Sequence, residues 1–459
     1  AQTLAFMAGL PSSRARTDEL WKETLLYQFH DILPGSSVAR VYLESLARLA
    51  LLRNEAEAER LRILSELGSR ESGASLVNQA PFSRQSYAKV DSSWMRADVP
   101  AYGASRLRPA SPTFSSKHIH SASCEILEND LLRAVFSPNG SLVSLADKAT
   151  GFESCGAWLN RLVVYCDPWR YYNAWDILDG YWRLPKKVLI ARTIETSVDG
   201  PRVTCRSTYR HGRSYIVQDA ILEEGSAVLE FGTIVEWHET FRMLRADFRP
   251  SFSFDRVRCD IQFGSIERSA RNDTSAERAQ FEVCAHRYVD VSDGQRGLAL
   301  LNDCKYGHRV KGGLVSLALL RSPLYPDPKA DRGEHRFRYG LLPHAGDAFT
   351  GEVIREATLF NQGPLVVEDG PEGLPRFSVE PENVLLDTIK VAESGEGLVL
   401  RLFECQGKDT VAKVGLPEGW TRVVETNLLE EELGPVDSGD LRFGPFQIRT
   451  ILVRREGAS

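Results

Sequence analysis

From about residue 76 to the end, this 459-residue chain breaks into short runs of alternating apolar and polar residues bounded by Gly, Asn, Asp and Pro. That pattern constrains the fold more than any other feature. A period of two sends successive side chains to opposite faces, so each run buries one side of a strand. Many such runs without helices between them pair as antiparallel sheets and stack as sandwiches. Residues 131–136 and 141–143 flank Ser137-Pro138-Asn139-Gly140, a hairpin with an Asn-Gly turn. Residues 203–209, 214–222, 228–236, 297–301 and 314–320 read as further strands, and 398–404, 410–415 and 447–454 as a last β unit.

Residues 1–67 have the other period. A first helix ends near Gly9-Leu10-Pro11, and Thr17 or Asp18 caps a second, where Asp18 and Glu19 suit the positive end of the helix dipole. Trp21, Leu25, Phe29 and Ile32 predict that this helix buries an apolar face and runs to Pro34-Gly35. Ser36 or Ser37 then caps a third helix over about 38–67, which packs through Val38, Val41, Leu46, Leu49, Leu61 and Leu64 and stops at Gly68. His30 and Asp31 fall beside the apolar face, at the helix end and before a tight turn. From there a His-Asp pair enters a cavity; a satisfied core histidine beside a surface aspartate is the plain alternative.

The Gly/Ser-rich stretch 67–75 and the Pro/Gly/acid-rich link 363–375 suggest the divisions. Residues 1–74 form a helical bundle, 75–115 a small β segment, 116–365 a large β-sandwich and 366–459 a C-terminal β domain. The expected fold class is mainly β with an N-terminal α segment: a three-helix bundle, a large antiparallel β-sandwich and a smaller terminal β-sandwich.

A net charge of −6 is small for this length and implies no nucleic-acid partner. The longest apolar runs fall short of a membrane span. The eight cysteines are dispersed and form no C-x-x-C pair, which argues against finger-type zinc and fits a reducing, cytoplasmic setting. The sequons at Asn139 and Asn272 matter only in a secreted protein, and the turn suffices to explain Asn139. No signal peptide is visible, but residues 1–10 already read as helix, so the chain reads as beginning inside a domain.

The nine residues Phe29-His30-Asp31-Ile32-Leu33-Pro34-Gly35-Ser36-Ser37 resemble the metal-binding segment of glycoside hydrolase family 38, the retaining α-mannosidases. Residues 125–133 are similar to the opening strand of that family's large sandwich. Asn173-Ala174-Trp175-Asp176-Ile177 resembles an Asp-Ala-Trp-Asp-Ile motif with Asn at its first place, which weakens any role for that position. Residues 301–308 and 320–328 resemble the bacterial and cytosolic-type branch. The likeness covers nearly the whole chain.

The resemblance implies that His30 ligates an active-site zinc and that Asp31 hydrogen-bonds mannose hydroxyls. It implies that Arg321 reaches the sugar from the sandwich, against the alternative of a strand-end salt bridge. Trp175 is either a sugar-stacking platform or a core residue, and Lys305 and Tyr306 either line the cleft or lie in a solvated loop. In this family the nucleophile, the acid/base and three further zinc ligands come from an N-terminal α/β barrel, which this sequence does not match. The implied function is the C-terminal portion of a retaining, zinc-dependent exo-α-mannosidase acting on mannose-containing oligosaccharides. The implied partner is the missing barrel, and the isolated chain is expected to be inactive, with an incomplete site for zinc or another divalent ion. An apolar patch left exposed around the end of the Trp21 helix would favour homo-oligomers. Two other readings remain: a non-catalytic carbohydrate-binding or scaffolding sandwich module, and a sandwich hydrolase with its own carboxylate pair, for which Asp176 and Asp303 are candidates.

Overall fold

A computed structural model describes residues 1–11, 14–68, 73–111, 113–121, 124–168 and 172–456. The chain opens with helices α1 (Gln2–Ala8), α2 (Arg14–Leu26) and α3 (Ala39–Glu66). Helix α1 ends at Gly9, whose φ of 67° is the left-handed conformation that glycine adopts without strain. Helices α2 and α3 pack as a hairpin, pinned by the Arg48–Glu23 ion pair. Helix α1 packs on α3, where Leu4 meets Leu64, and also on the terminal β domain. There Met7 joins the core formed by Phe377, Val384 and Trp420, and the Thr3 hydroxyl donates to Ile389 O at 2.9 Å.

Three expectations for this region change. Helix α2 stops at Leu26, and the chain continues to Gly35 in tighter turns, with Gln28 N–H donating to Leu25 O and Ile32 N–H to Phe29 O. The α2 face expected to be buried is exposed: α2 contributes no buried residue, and Trp21 is 60% accessible. Helices α1 and α2 both pack on α3, yet the α2 stripe carrying Trp21 and Leu25 stays exposed. The residue capping α3 is Val38, with no side-chain cap bond; Ser36 and Ser37 bond to Asp31 and Tyr42 instead. The apolar surface expected near the end of this helix is present, since Leu25, Leu26, Phe29, Leu33, Leu43 and Leu46 are all exposed.

The β region has two large antiparallel sheets. The ten-stranded sheet runs through Cys155–Cys166, Arg242–Pro250 and Leu314–Arg321. The nine-stranded sheet runs through Arg202–His211, Ser214–Glu223, Leu229–Trp237, Gly333–Ala345 and Arg296–Asn302. Ser214–Glu223 alternates buried and partly exposed positions along most of its length, as its period of two requires. The two inner faces meet in one core, with Leu244, Phe248 and Leu317 on one side and Ile216, Phe231, Val235 and Leu341 on the other. That core also holds a closed polar network. The Tyr339 hydroxyl donates to Asn160 Oδ1 at 2.5 Å, Asn160 Nδ2 to Gln218 Oε1 at 2.7 Å, and Gln218 Nε2 to Thr233 Oγ1 at 3.0 Å. Buried polar groups cost little only when bonded in this way.

The Asn-Gly hairpin joins Leu132–Phe136 to Leu142–Asp147, with Gly140 at φ 86° and the Asn139 side-chain oxygen accepting from Ser141 N–H. The terminal domain stacks a five-stranded sheet, centred on Leu398–Glu404 and Ile448–Arg455, on a three-stranded sheet through Thr410–Gly415. Part of the first Gly/Ser-rich stretch, residues 69–72, lies outside the described residues. The second link is not a free linker: Leu365–Val367 pairs with Ser75–Val77, so a strand crosses the boundary set at residue 365.

Among the described residues, two short α-helices interrupt the β region, contrary to the reading of strands alone. α4 (Ser275–Ala279) has a capping box between Thr274 and Glu277. α5 (Val353–Asn361) buries Val353, Ala357 and Phe360. Among the described residues, no helix is long and apolar enough to cross a membrane.

Candidate functional site

The turns after α2, the segment after strand Cys155–Cys166, and the end of strand Leu314–Arg321 meet at one place, with Asp31 at its centre. Its Oδ1 accepts from Trp175 Nε1–H at 3.2 Å and from the Ser36 hydroxyl at 3.1 Å. Its backbone oxygen accepts from the Tyr42 hydroxyl at 3.1 Å, and Tyr42 oxygen accepts from Ser37 N–H at 2.8 Å. Residues 31–42 are thus closed into a rigid loop around the aspartate. His30 Nε2 lies 3.6 Å from Asp31 Oδ2, and its ring packs against Phe29 at 4.1 Å. The His30 side chain is 79% accessible, so this imidazole is an open donor and not a sealed core histidine.

Arg321 ends its strand in a two-pronged ion pair with Asp167, Nε to Oδ2 at 3.0 Å and Nη2 to Oδ1 at 3.1 Å. Nη2 also donates to Asp176 O at 2.8 Å. Arg321 therefore forms the strand-end salt bridge and at the same time fixes the loop that carries Trp175. Burial pushes the Asp167 carboxyl up, against the Arg321 charge that holds it down. The rings of Tyr172, Trp175 and Tyr325 pack edge-on or tilted at 5.7–6.1 Å, each about half exposed. Burial pushes the Tyr42 phenol up, and the charges of Asp331, Asp327 and Asp31 add to that effect.

The His30–Asp31 pair, Trp175 and Arg321, distant in sequence, are thus linked directly or through one intervening residue. Lys305 and Tyr306 make no hydrogen bond or ring contact with that group: Lys305 Nζ sits 4.7 Å from the Phe337 ring, and Tyr306 lies edge-on to His286. Asn173, at the place where the resembled motif has Asp, is buried, and among the described residues neither amide atom has a hydrogen-bond partner. Asp176 accepts from Ile177 N–H, and Asp303 lies 3.4 Å from Arg338, so these carboxylates face separate partners and form no pair.

Sequence reasoning missed Tyr42, Asp167, Tyr172 and Tyr325. Tyr325 stood inside a quoted motif and had the same signal as Trp175, an aromatic flanked by turn residues. The other three had none: Asp167 meets Arg321 154 residues on, and nothing in the local pattern marks Tyr42 or Tyr172. Among the described residues, no three of His, Cys, Asp and Glu are grouped to hold a metal ion.

Three family models match the chain. They are the alpha mannosidase middle domain over residues 1–66, the glycosyl hydrolases family 38 C-terminal domain over 127–329, and the family 38 C-terminal beta sandwich domain over 383–451. Human alpha-mannosidase 2C1 is 32% identical over 96% of this chain and 45% of its own length. The Saccharomyces cerevisiae alpha-mannosidase is 27% identical over 90% of this chain and 40% of its own length. The chain therefore spans about half the length of the curated relatives it matches. The crystal structure of an alpha-mannosidase from Enterococcus faecalis V583 superposes with a TM-score of 0.79 at 16% identity, covering 98% of this chain and 65% of that one, and so shares the fold. Middle domain, large sandwich and terminal sandwich occur here in one order and one architecture, and the chain belongs to glycosyl hydrolase family 38.

Proposed function

We propose that this chain supplies the middle and sandwich walls of the active site of a retaining, zinc-dependent exo-α-mannosidase, whose catalytic carboxylates lie on an α/β barrel outside these residues. The observation that carries the reading is the bond from Trp175 Nε1 to Asp31 Oδ1, which ties the sandwich loop to the His-Asp turn and leaves His30 open beside it. His30 fits zinc as one ligand; such an ion takes three or four N, O or S donors, so the others would come from the barrel. When bound, the ion supplies a fixed positive centre that orients sugar hydroxyls.

The roles of this chain are to bind and to orient. Asp31 keeps Oδ2 for a sugar hydroxyl, because Oδ1 is taken by Trp175 and Ser36. Arg321 holds the Trp175 loop in register, and the exposed faces of Tyr172, Trp175 and Tyr325 offer apolar surface to the C–H side of a pyranose. Retention needs two carboxyl groups about 5–5.5 Å apart, which on this reading the barrel contributes. The 459 residues alone should therefore release no product from an aryl α-mannoside, and robust zinc-dependent release would overturn the assignment of roles. In the protein with its barrel, His30→Ala should abolish turnover and zinc retention together.

The exposed aromatic trio also favours a second reading, a carbohydrate-binding wall without chemistry. That reading expects sugar binding to survive His30→Ala and turnover to be absent even with the barrel present.

A further inference from the structure

Away from the His30–Asp31 cleft, a cavity of about 560 Å³ opens where strand Arg84–Val90, the turn after Ser214–Glu223 and helix α5 meet. It shares no lining residue with the cleft. Its volume suits a small ligand.

Arginines and glutamates both line it. Arg84 Nη1 donates to Leu359 O at 3.2 Å and to Gln362 O at 2.8 Å, closing the end of α5, and Nε donates to Ser86 Oγ at 3.1 Å. Among the described residues, Nη2 has no hydrogen-bond partner, and no carboxylate stands within ion-pair distance of this guanidinium. Glu356 lines the same cavity, and among the described residues its carboxylate accepts no hydrogen bond; the cation beside it is Arg355 Nη1 at 3.6 Å. Glu230 has only a long contact, 3.4 Å, to Arg338. Burial pushes the Glu356 and Glu230 carboxyls up and the Arg84 guanidinium down, as expected of charges held in a recess without full compensation.

An anion would satisfy Arg84 but be repelled by Glu356 and Glu230, and a cation would meet the reverse. A hydroxyl both accepts and donates, so adjacent hydroxyls on one ring can take a bond from Arg84 and give one to Glu356. Tyr87 and Phe360, also in the wall, offer ring surface to the C–H groups between them. We propose that this cavity is a second sugar site, binding a neutral oligosaccharide through vicinal hydroxyls bridged between Arg84 and Glu356. The proposal does not depend on the cleft binding sugar.

Titration calorimetry of the 459-residue chain with mannotriose, with citrate as an anionic probe, tests it. Mannotriose should bind saturably and citrate should not. Hydrogen bonds to charged groups contribute about 1.5–3 kcal/mol, so Arg84→Met and Glu356→Leu should each weaken binding about ten-fold or more. Glu356 carries no contact that closes α5, so its variant reads the site even if Arg84→Met disturbs that helix. Absence of saturable mannotriose binding would overturn the proposal, as would binding that persists in the Glu356 variant or citrate binding in place of sugar. Binding lost in Trp175→Ala but kept in both cavity variants would put the sugar in the cleft and also overturn it.

Discussion

The sandwich core and the α2–α3 hairpin use apolar residues in opposite ways. In the sandwich, Leu244, Phe231 and Leu341 are fully enclosed, and even the polar groups between the sheets, Asn160, Gln218 and Tyr339, close a network among themselves. In the hairpin, Trp21, Leu25, Phe29, Leu43 and Leu46 face outward, with Leu43 at 75% accessibility. Large exposed apolar groups on one element mark a surface that another body covers. The comparison separates a part of the molecule that carries its own stability from a part shaped for contact.

Substitutions can break or sharpen that contrast. The largest effect is expected from Leu244→Ala, which leaves a cavity in the sandwich and should cost about 2–5 kcal/mol in urea unfolding. Acid titration comes next. His308 is enclosed, its Nε2 has no partner among the described residues, and burial pushes its pKa down to about 3 from an ordinary 6.5. Between those values the unfolded chain binds a proton that the folded chain refuses, so stability should fall as pH drops through that window. His308→Met should flatten the dependence of Tm on pH there; an unchanged slope would remove the histidine from the account.

Tyr339→Phe should cost about 1–3 kcal/mol, since it strands Asn160 Oδ1 inside the core. The smallest effect is expected from Leu43→Ala, within about 0.5 kcal/mol. If Leu43→Ala proved as costly as Leu244→Ala, the hairpin would be bearing fold stability and the contrast would fail. Self-association separates the regions again: sedimentation of the wild-type chain should show oligomers that Leu25→Glu with Phe29→Glu reduces, and a strictly monomeric wild type would contradict a sticky hairpin.

The sequence carried the sheets well and the site in part. Strands such as Leu398–Glu404 and Thr410–Gly415 were legible to the residue because alternation and flanking turn residues agree. Helix α5 was hidden because its nine residues sit between turns and resemble a buried strand by composition. The end of α2 was misread because periodicity at Phe29 and Ile32 persists in turns that no longer form a helix. His30 and Asp31 were singled out through a contiguous motif. That Trp175 donates to Asp31 could not be read, because that bond spans 144 residues and exists only once the sandwich loop folds over the turn.

The docking of α1 has a consequence for how the molecule is made. Arg455, on the last strand, donates to Met7 O, and Thr3 bonds to Ile389 O, so the opening helix rests on a seat assembled from the closing strands. On the ribosome that seat does not exist until residues 377–455 have been made, and until then Phe6 and Met7 lack the core that encloses them. Removing strand Ile448–Arg455 should therefore loosen helix α1.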